Sequence, residues 1–225
     1  VLKGGNSSAF GGNAVSGIIN INTGKSESFL TSSIELGSYG YSNFNLSVSP
    51  ESIPINFNMN YKASDGDYLF KRKNSENEFI QRENADFESI NGIISYDKNN
   101  LKINTIASIN RKGIPGAVLK GNPQSENARF DEYDIMANTS YKILSDNSVL
   151  KFLINHKTSN SNYYTNDDNS FIINSNHMFT LNESSSKIEY QYFQNNLELL
   201  LNSEIGNSIL TGNMLDPETD RYVTR

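Results

Sequence analysis

The feature that most constrains this 225-residue chain is a hydrophobic period of two residues that recurs nine times after Ser28. In Ile55, Phe57, Met59, Tyr61 and Ala63 every odd position is apolar or small, while Asn56, Asn58, Asn60, Lys62 and Ser64 fill the even ones. Successive strand side chains point to opposite sides, so this segment predicts a strand with one greasy and one wet face. The alternation returns at Phe44–Val48, Ile90–Tyr96, Leu101–Ile109 and Tyr133–Ile143. Weaker copies lie at Leu30–Leu36, Leu150–Ile154, Ile188–Tyr192 and Leu197–Ile205.

The connections discriminate among all-β architectures. Short links are expected at Ser38–Tyr41, Pro50–Ile53, Lys98–Asn100, Leu144–Asn147 and Gln194–Asn196, and long polar ones at Asp65–Asp86, Lys112–Phe130 and Ser159–Ser185. After the first hairpin every second connection is long. Compact domains rarely carry structureless loops beyond roughly 12–15 residues, whereas outer-membrane barrels pair tight turns on one rim with long loops on the other. Expected strand lengths of roughly 9–13 residues also suit a tilted bilayer crossing. Nine strands is an odd number and bacterial single-chain barrels are even, so the reading is of part of a larger barrel.

Composition narrows the function classes. The chain holds 34 Asn and 30 Ser, with 12 Tyr and 12 Phe, no Cys and no Trp. Such aromatic content argues for ordered β structure rather than disorder. Lys and Arg number 19 against 25 Asp and Glu, a net charge of −6, which disfavours nucleic acid as a partner. Absence of Cys removes disulfides, thiolate metal sites and cysteine nucleophiles. No Ser stands in a nucleophile-elbow context, so no enzyme is expected.

The N-terminal segment Val1–Gly24 differs from the rest: Gly4, Gly5, Gly11, Gly12 and Gly17 punctuate it, and Gly17-Ile18-Ile19-Asn20-Ile21-Asn22-Thr23 ends it as a β-branched run. Val1 to Thr23, with Leu2-Lys3-Gly4, Ser8-Ala9-Phe10-Gly11 and Val15-Ser16-Gly17 ahead of Ile19-Asn20-Ile21, resembles the end of the plug domain of TonB-dependent outer-membrane receptors. Leu36-Gly37-Ser38-Tyr39-Gly40 resembles that family's first barrel hairpin, and Gly113-Ile114-Pro115-Gly116 a loop motif of its cobalamin and siderophore branch. Gly5 and Asn6 stand where many members have Pro and another residue.

The resemblance implies an all-β chain: a partial antiparallel up-and-down transmembrane barrel, about nine strands of 22, over residues 25–225, preceded by the plug end at 1–24. It implies energy-coupled uptake of a scarce nutrient, a metal–siderophore chelate or cobalamin, across the bacterial outer membrane. The partners implied are outer-membrane lipid and lipopolysaccharide, and a periplasmic TonB-type protein whose contact segment is not among these residues. Ligand contacts are expected at Asn6, Ser7, Ser8 and Phe10 of the plug loops and at Tyr68, Arg72, Tyr163 and Tyr164 of the outer loops. Asn56, Asn58, Asn60, Lys62, Asn104, Ser108, Asn138 and Lys142 are expected to face the lumen or plug. A passive porin and a soluble all-β adhesin stand as alternatives.

Several local patterns weigh against other functions. Gly24-Lys25-Ser26 lacks the upstream Gly of a phosphate loop, because Ile19 occupies that place. His156 and His177 lie 21 positions apart without metal-ligand spacing, and no cofactor is expected. Asp167-Asp168, between Asn166 and Asn169, offers oxygen ligands for Ca2+ on an outer loop, although such residues are also ordinary turn formers. Lys71-Arg72-Lys73 beside Tyr68 and Phe70 could meet an anionic ligand or a lipopolysaccharide phosphate.

Overall fold

A computed structural model describes residues 29–71, 79–115, 127–165, 175–195, 197–216 and 221–224. The expected plug end at 1–24 lies outside the described residues. All nine expected strands are present. They are β1 (Leu30–Leu36), β2 (Ser42–Val48), β3 (Ile55–Ser64), β6 (Phe87–Lys98), β7 (Leu101–Gly113), β8 (Arg129–Ser145), β9 (Ser148–Thr165), β10 (Ser175–Gln194) and β11 (Leu197–Asp216). A four-residue strand, β12 (Arg221–Thr224), follows, and β4 (Leu69–Lys71) with β5 (Phe79–Gln81) forms a separate hairpin. The main sheet runs β1-β2-β3-β6-β7-β8-β9-β10-β11-β12, each strand antiparallel to its neighbours.

Three expectations about the loops and strand ends are corrected. Asp65–Asp86 is not structureless, since it carries the β4–β5 hairpin. Most of Ser159–Ser185 is strand: β9 runs to Thr165 and β10 begins at Ser175. The strand expected at Leu197–Ile205 runs on to Asp216, and β12 follows it. The later strands therefore reach 17–20 residues instead of 9–13. The physical reason is that polar side chains bond across the strands there. Thr158 Oγ1 donates to Asn182 Oδ1 at 2.9 Å, Asn160 Nδ2 donates to Thr180 Oγ1 at 3.1 Å, and His156 Nδ1 lies 2.9 Å from Ser184 Oγ. A ladder held this way needs no hydrophobic alternation, which was the signal used to find strands.

The tight turns follow from residue chemistry. The β6–β7 link is Asn99-Asn100, with Asn99 at φ 54°, and Asn195 after β10 has φ 49°. Two-residue hairpin turns need positive φ, and Asn tolerates it better than other side-chain-bearing residues. Lys102 Nζ bonds Asp97 Oδ2 at 2.6 Å just beyond the first of these turns.

Packing leaves both faces of this sheet largely exposed among the described residues. Among the described residues the buried apolar residue is Ala128, at 3% exposure, while Ile135, Ile154, Leu201 and Ile205 are 54%, 57%, 55% and 77% exposed. Most of the exposed apolar residues share one face, while Phe87, Leu144, Phe179, Phe193, Leu200 and Leu210 stand on the other. That other, wetter face carries all eight expected lumen residues. On that wet face Asn60 Nδ2 donates to Asn43 and to Asn45 at 2.6 Å, and Ser89 donates to Asn110 at 2.7 Å. Lys151 and Lys187 both bond Glu189. Three concavities are lined chiefly by wet-face residues, among them Asn58 and Asn60, Lys151 and Glu189, and Asn138 with Asn155.

The apolar face is oblique to the hydrogen-bond rows. Its run on β2, Phe44–Val48, centres on Leu46, whose row passes through Met59, Gly92 and Ala107 to Ile135. Its run on β11, Leu197–Ile205, centres on Leu201, whose row passes through Tyr190 and Leu150 to Ile143. Measured along β8, the belt slides from Ile135 to Ile143, 8 residues over the 7 strand-to-strand steps from β2 to β11. With about 3.3 Å per residue and about 4.8 Å between strands, a level belt requires strands tilted by roughly 38°.

One prediction tests the turn chemistry. Asn99→Gly should leave the unfolding midpoint unchanged or raise it, whereas Asn99→Val should destabilise by about 1–2 kcal/mol in denaturant titration. Equal midpoints for the two variants would contradict a left-handed Asn99.

Candidate functional site

The long connections all open at the same rim, opposite the Asn99-Asn100, Asp146-Asn147 and Asn195 turns. Two aromatic groups form there. On the β4–β5 hairpin, Tyr68 meets Tyr39 edge-on at 6.0 Å between ring centres and Phe70 at 6.1 Å, and the Arg82 guanidinium lies 5.8 Å from the Phe70 ring centre. Tyr39 belongs to the β1–β2 turn. Its carbonyl accepts from Asp65 N at 3.0 Å and from Ser64 Oγ at 2.8 Å, which brings that turn under the hairpin.

The second group is a single hydrogen-bond row on the wet face. Lys112, Phe130, Tyr163 and His177 are successive register partners on β7, β8, β9 and β10. Lys112 Nζ sits 5.0 Å from the Phe130 ring centre, and Tyr163 stacks on His177 at 6.2 Å with 14° between planes. A cation over a ring and two parallel rings make a ledge that suits a flat or anionic group.

A clasp joins the bases of two loops. Arg129, the first residue of β8, forms a two-pronged ion pair with Asp86 at 2.9 and 2.7 Å. Asn84, at φ 52°, donates from Nδ2 to the Ala128 carbonyl at 2.7 Å. Gly113 allows this approach, because a Cβ there would meet the Asn84 carbonyl oxygen at 2.3 Å.

The expected site residues divide accordingly. Tyr68 and Tyr163 occupy the two aromatic groups. Tyr164 faces away from Tyr163, across from Arg129 in the register, because neighbouring strand residues alternate sides. Tyr164 is thus moved off the wet face, the face on which a lumen ligand would be met. Asn6, Ser7, Ser8, Phe10, Arg72 and the Asp167-Asp168 pair lie outside the described residues. Sequence reasoning missed Tyr39, Lys112, Phe130 and His177, which only the register brings together. Among the described residues no group of three or more acidic, His or Cys side chains could hold a metal ion. No protein-family model and no curated protein sequence matches the chain.

The clasp yields a prediction. Arg129→Ala removes two charge-assisted hydrogen bonds from a half-exposed pair and should weaken the loop base by about 1–2 kcal/mol. Limited proteolysis within residues 65–86 should then accelerate about tenfold while global unfolding changes little. Arg129→Lys, which cannot form the two-pronged pair, should fall in between.

Proposed function

We propose that this chain belongs to a bacterial outer-membrane receptor that takes up a scarce nutrient by TonB-dependent energy coupling, with a metal–siderophore chelate or cobalamin as the ligand class. The observation that carries the membrane part is the sliding apolar belt. A ten-stranded antiparallel sheet leaves its apolar face uncovered among the described residues, and its belt slides by the amount that strands tilted at roughly 38° need, within the tilt typical of lipid-spanning barrels. A soluble sandwich would cover that face with a second sheet. Local concavities lined by Asn58, Asn60, Asn138 and Asn155 on the wet face are consistent with a water-filled lumen.

The receptor part rests on the plug-like sequence of Val1–Thr23 and on the rim chemistry. Long loops on one rim and the Lys112–His177 ledge would meet an incoming ligand, and the plug would hold the lumen closed until a periplasmic partner pulled on it. No covalent bond changes in this scheme. Its work is selective binding followed by a gated conformational change.

Two measurements test the two parts. In lipid vesicles, a fluorophore at outward Phe152 or Leu201 should be quenched by lipid-borne quenchers, and one at inward Asn155 or Asn202 by aqueous ones. Loss of that alternation, or a full-length protein monomeric without detergent, would sink the barrel. Removing the energy-coupling partner should reduce ligand-dependent growth at limiting nutrient at least about tenfold; growth that is indifferent to it would leave a passive porin.

A further inference from the structure

On β9, β10 and β11 the outward face changes character partway up. Leu150, Phe152 and Ile154 of β9 are apolar, but His156, Thr158 and Asn160 follow on the same side. A similar change occurs on β10 above Ile188 and on β11 above Ile205, where Met178 and Ile209 are the exposed apolar exceptions. Outward positions from His156 to Tyr164, from Ser186 to Asn176 and from Asn207 to Asn213 number fifteen, and none is charged. At the chain's 20% charged content about three would be expected. The charges of these strands lie on the other face, as Lys151, Lys157, Glu183, Lys187, Glu189 and Glu204.

A surface meeting only water has no reason to shed its charges, and one meeting hydrocarbon has no use for Asn and Thr. The strip is also continuous with the apolar belt and rises from it by roughly 20 Å between Ile154 and Asn162, taking about 3.3 Å per residue on strands tilted as above. The surroundings that suit it adjoin the hydrocarbon and are dense in neutral hydroxyl groups. Asn and Thr side chains hold more donors and acceptors than their cross-strand bonds use. Phosphates are a poorer match, because Arg111, the outward cation nearest the belt's upper edge, stands in one row between Glu88 and Asp131.

We propose that the outward face of β9–β11 above the belt is a binding surface for the neutral sugars of the outer-leaflet glycolipid. The proposal rests on the membrane reading above, and its test separates the two. The full-length receptor is placed in phospholipid vesicles containing phosphatidylglycerol, deep-rough lipopolysaccharide that keeps the lipid phosphates but lacks the core sugars, or lipopolysaccharide with a complete core. The wild type should retain the complete-core form about tenfold more tightly than the deep-rough form through delipidation. The double variant Thr158→Val/Asn182→Leu, which keeps strand-forming side chains, should lose that preference, and the wet-face control Asn155→Ala/Ser185→Ala should keep it. Insertion of every variant is verified first by the lipid-quenching alternation. Equal retention of the two glycolipids, a preference that survives in the double variant, or self-association through this face overturns the inference while leaving the barrel intact. Failure to insert removes both.

Discussion

Among the described residues, the fold depends on cross-strand hydrogen bonding with almost no apolar side chain buried behind it. A soluble sheet is stabilised by burying one face, at roughly 25 cal/mol per Å² of apolar surface. Here the backbone ladders are complete from β1 to β12, yet Ala128 is the buried apolar residue among those described. Under the membrane reading proposed above, lipid would supply the stabilisation that a core otherwise supplies. An extended sheet whose polar backbone is satisfied strand to strand is one of few structures that can accept that environment.

The wet face answers the converse problem. Asn60 of β3 bonds both Asn43 and Asn45 of β2, and Lys151 of β9 and Lys187 of β10 share the Glu189 carboxylate. Each is a modest interaction in an accessible setting, well below the cost of leaving a buried polar group unpaired. Their collective effect is to fix register: a slip by one residue would exchange Asn60 for Met59 and turn the sheet inside out.

How much of this could be read in advance depended on the kind of side chain. Where β-branched and aromatic residues alternated with Asn or Lys, as in Ile55–Ser64, both the strand and its facing were legible. Where both faces were polar, as from Ser159 to Asn162 and from Asn182 to Ser186, the period vanished and strand was mistaken for loop, because hydrogen-bonding side chains pair across strands without leaving a hydropathy signature. The candidate site was harder still. Tyr163 and Tyr164 look equivalent in sequence, and only the pleat assigns one to each face. Lys112, Phe130 and His177 carry no local pattern at all, since what unites them is a row perpendicular to the chain. Asparagine and serine are not confined to the wet face: Asn160, Asn162, Asn182, Ser184 and Asn207 stand on the outward side of β9–β11.

The Arg129–Asp86–Asn84 clasp sits at the foot of the residues between Ile114 and Ala128, not at their tip. It works like a collar. Whatever the tip does, the strands beneath it are held to the end of the preceding excursion through contacts that involve no tip residue. The clasp contacts themselves lie at the starts of β6 and β8 and the end of β7, so substitutions between Pro115 and Asn127 leave their participants unchanged. A lineage could retune what this rim recognises while the wall beneath it stayed unchanged.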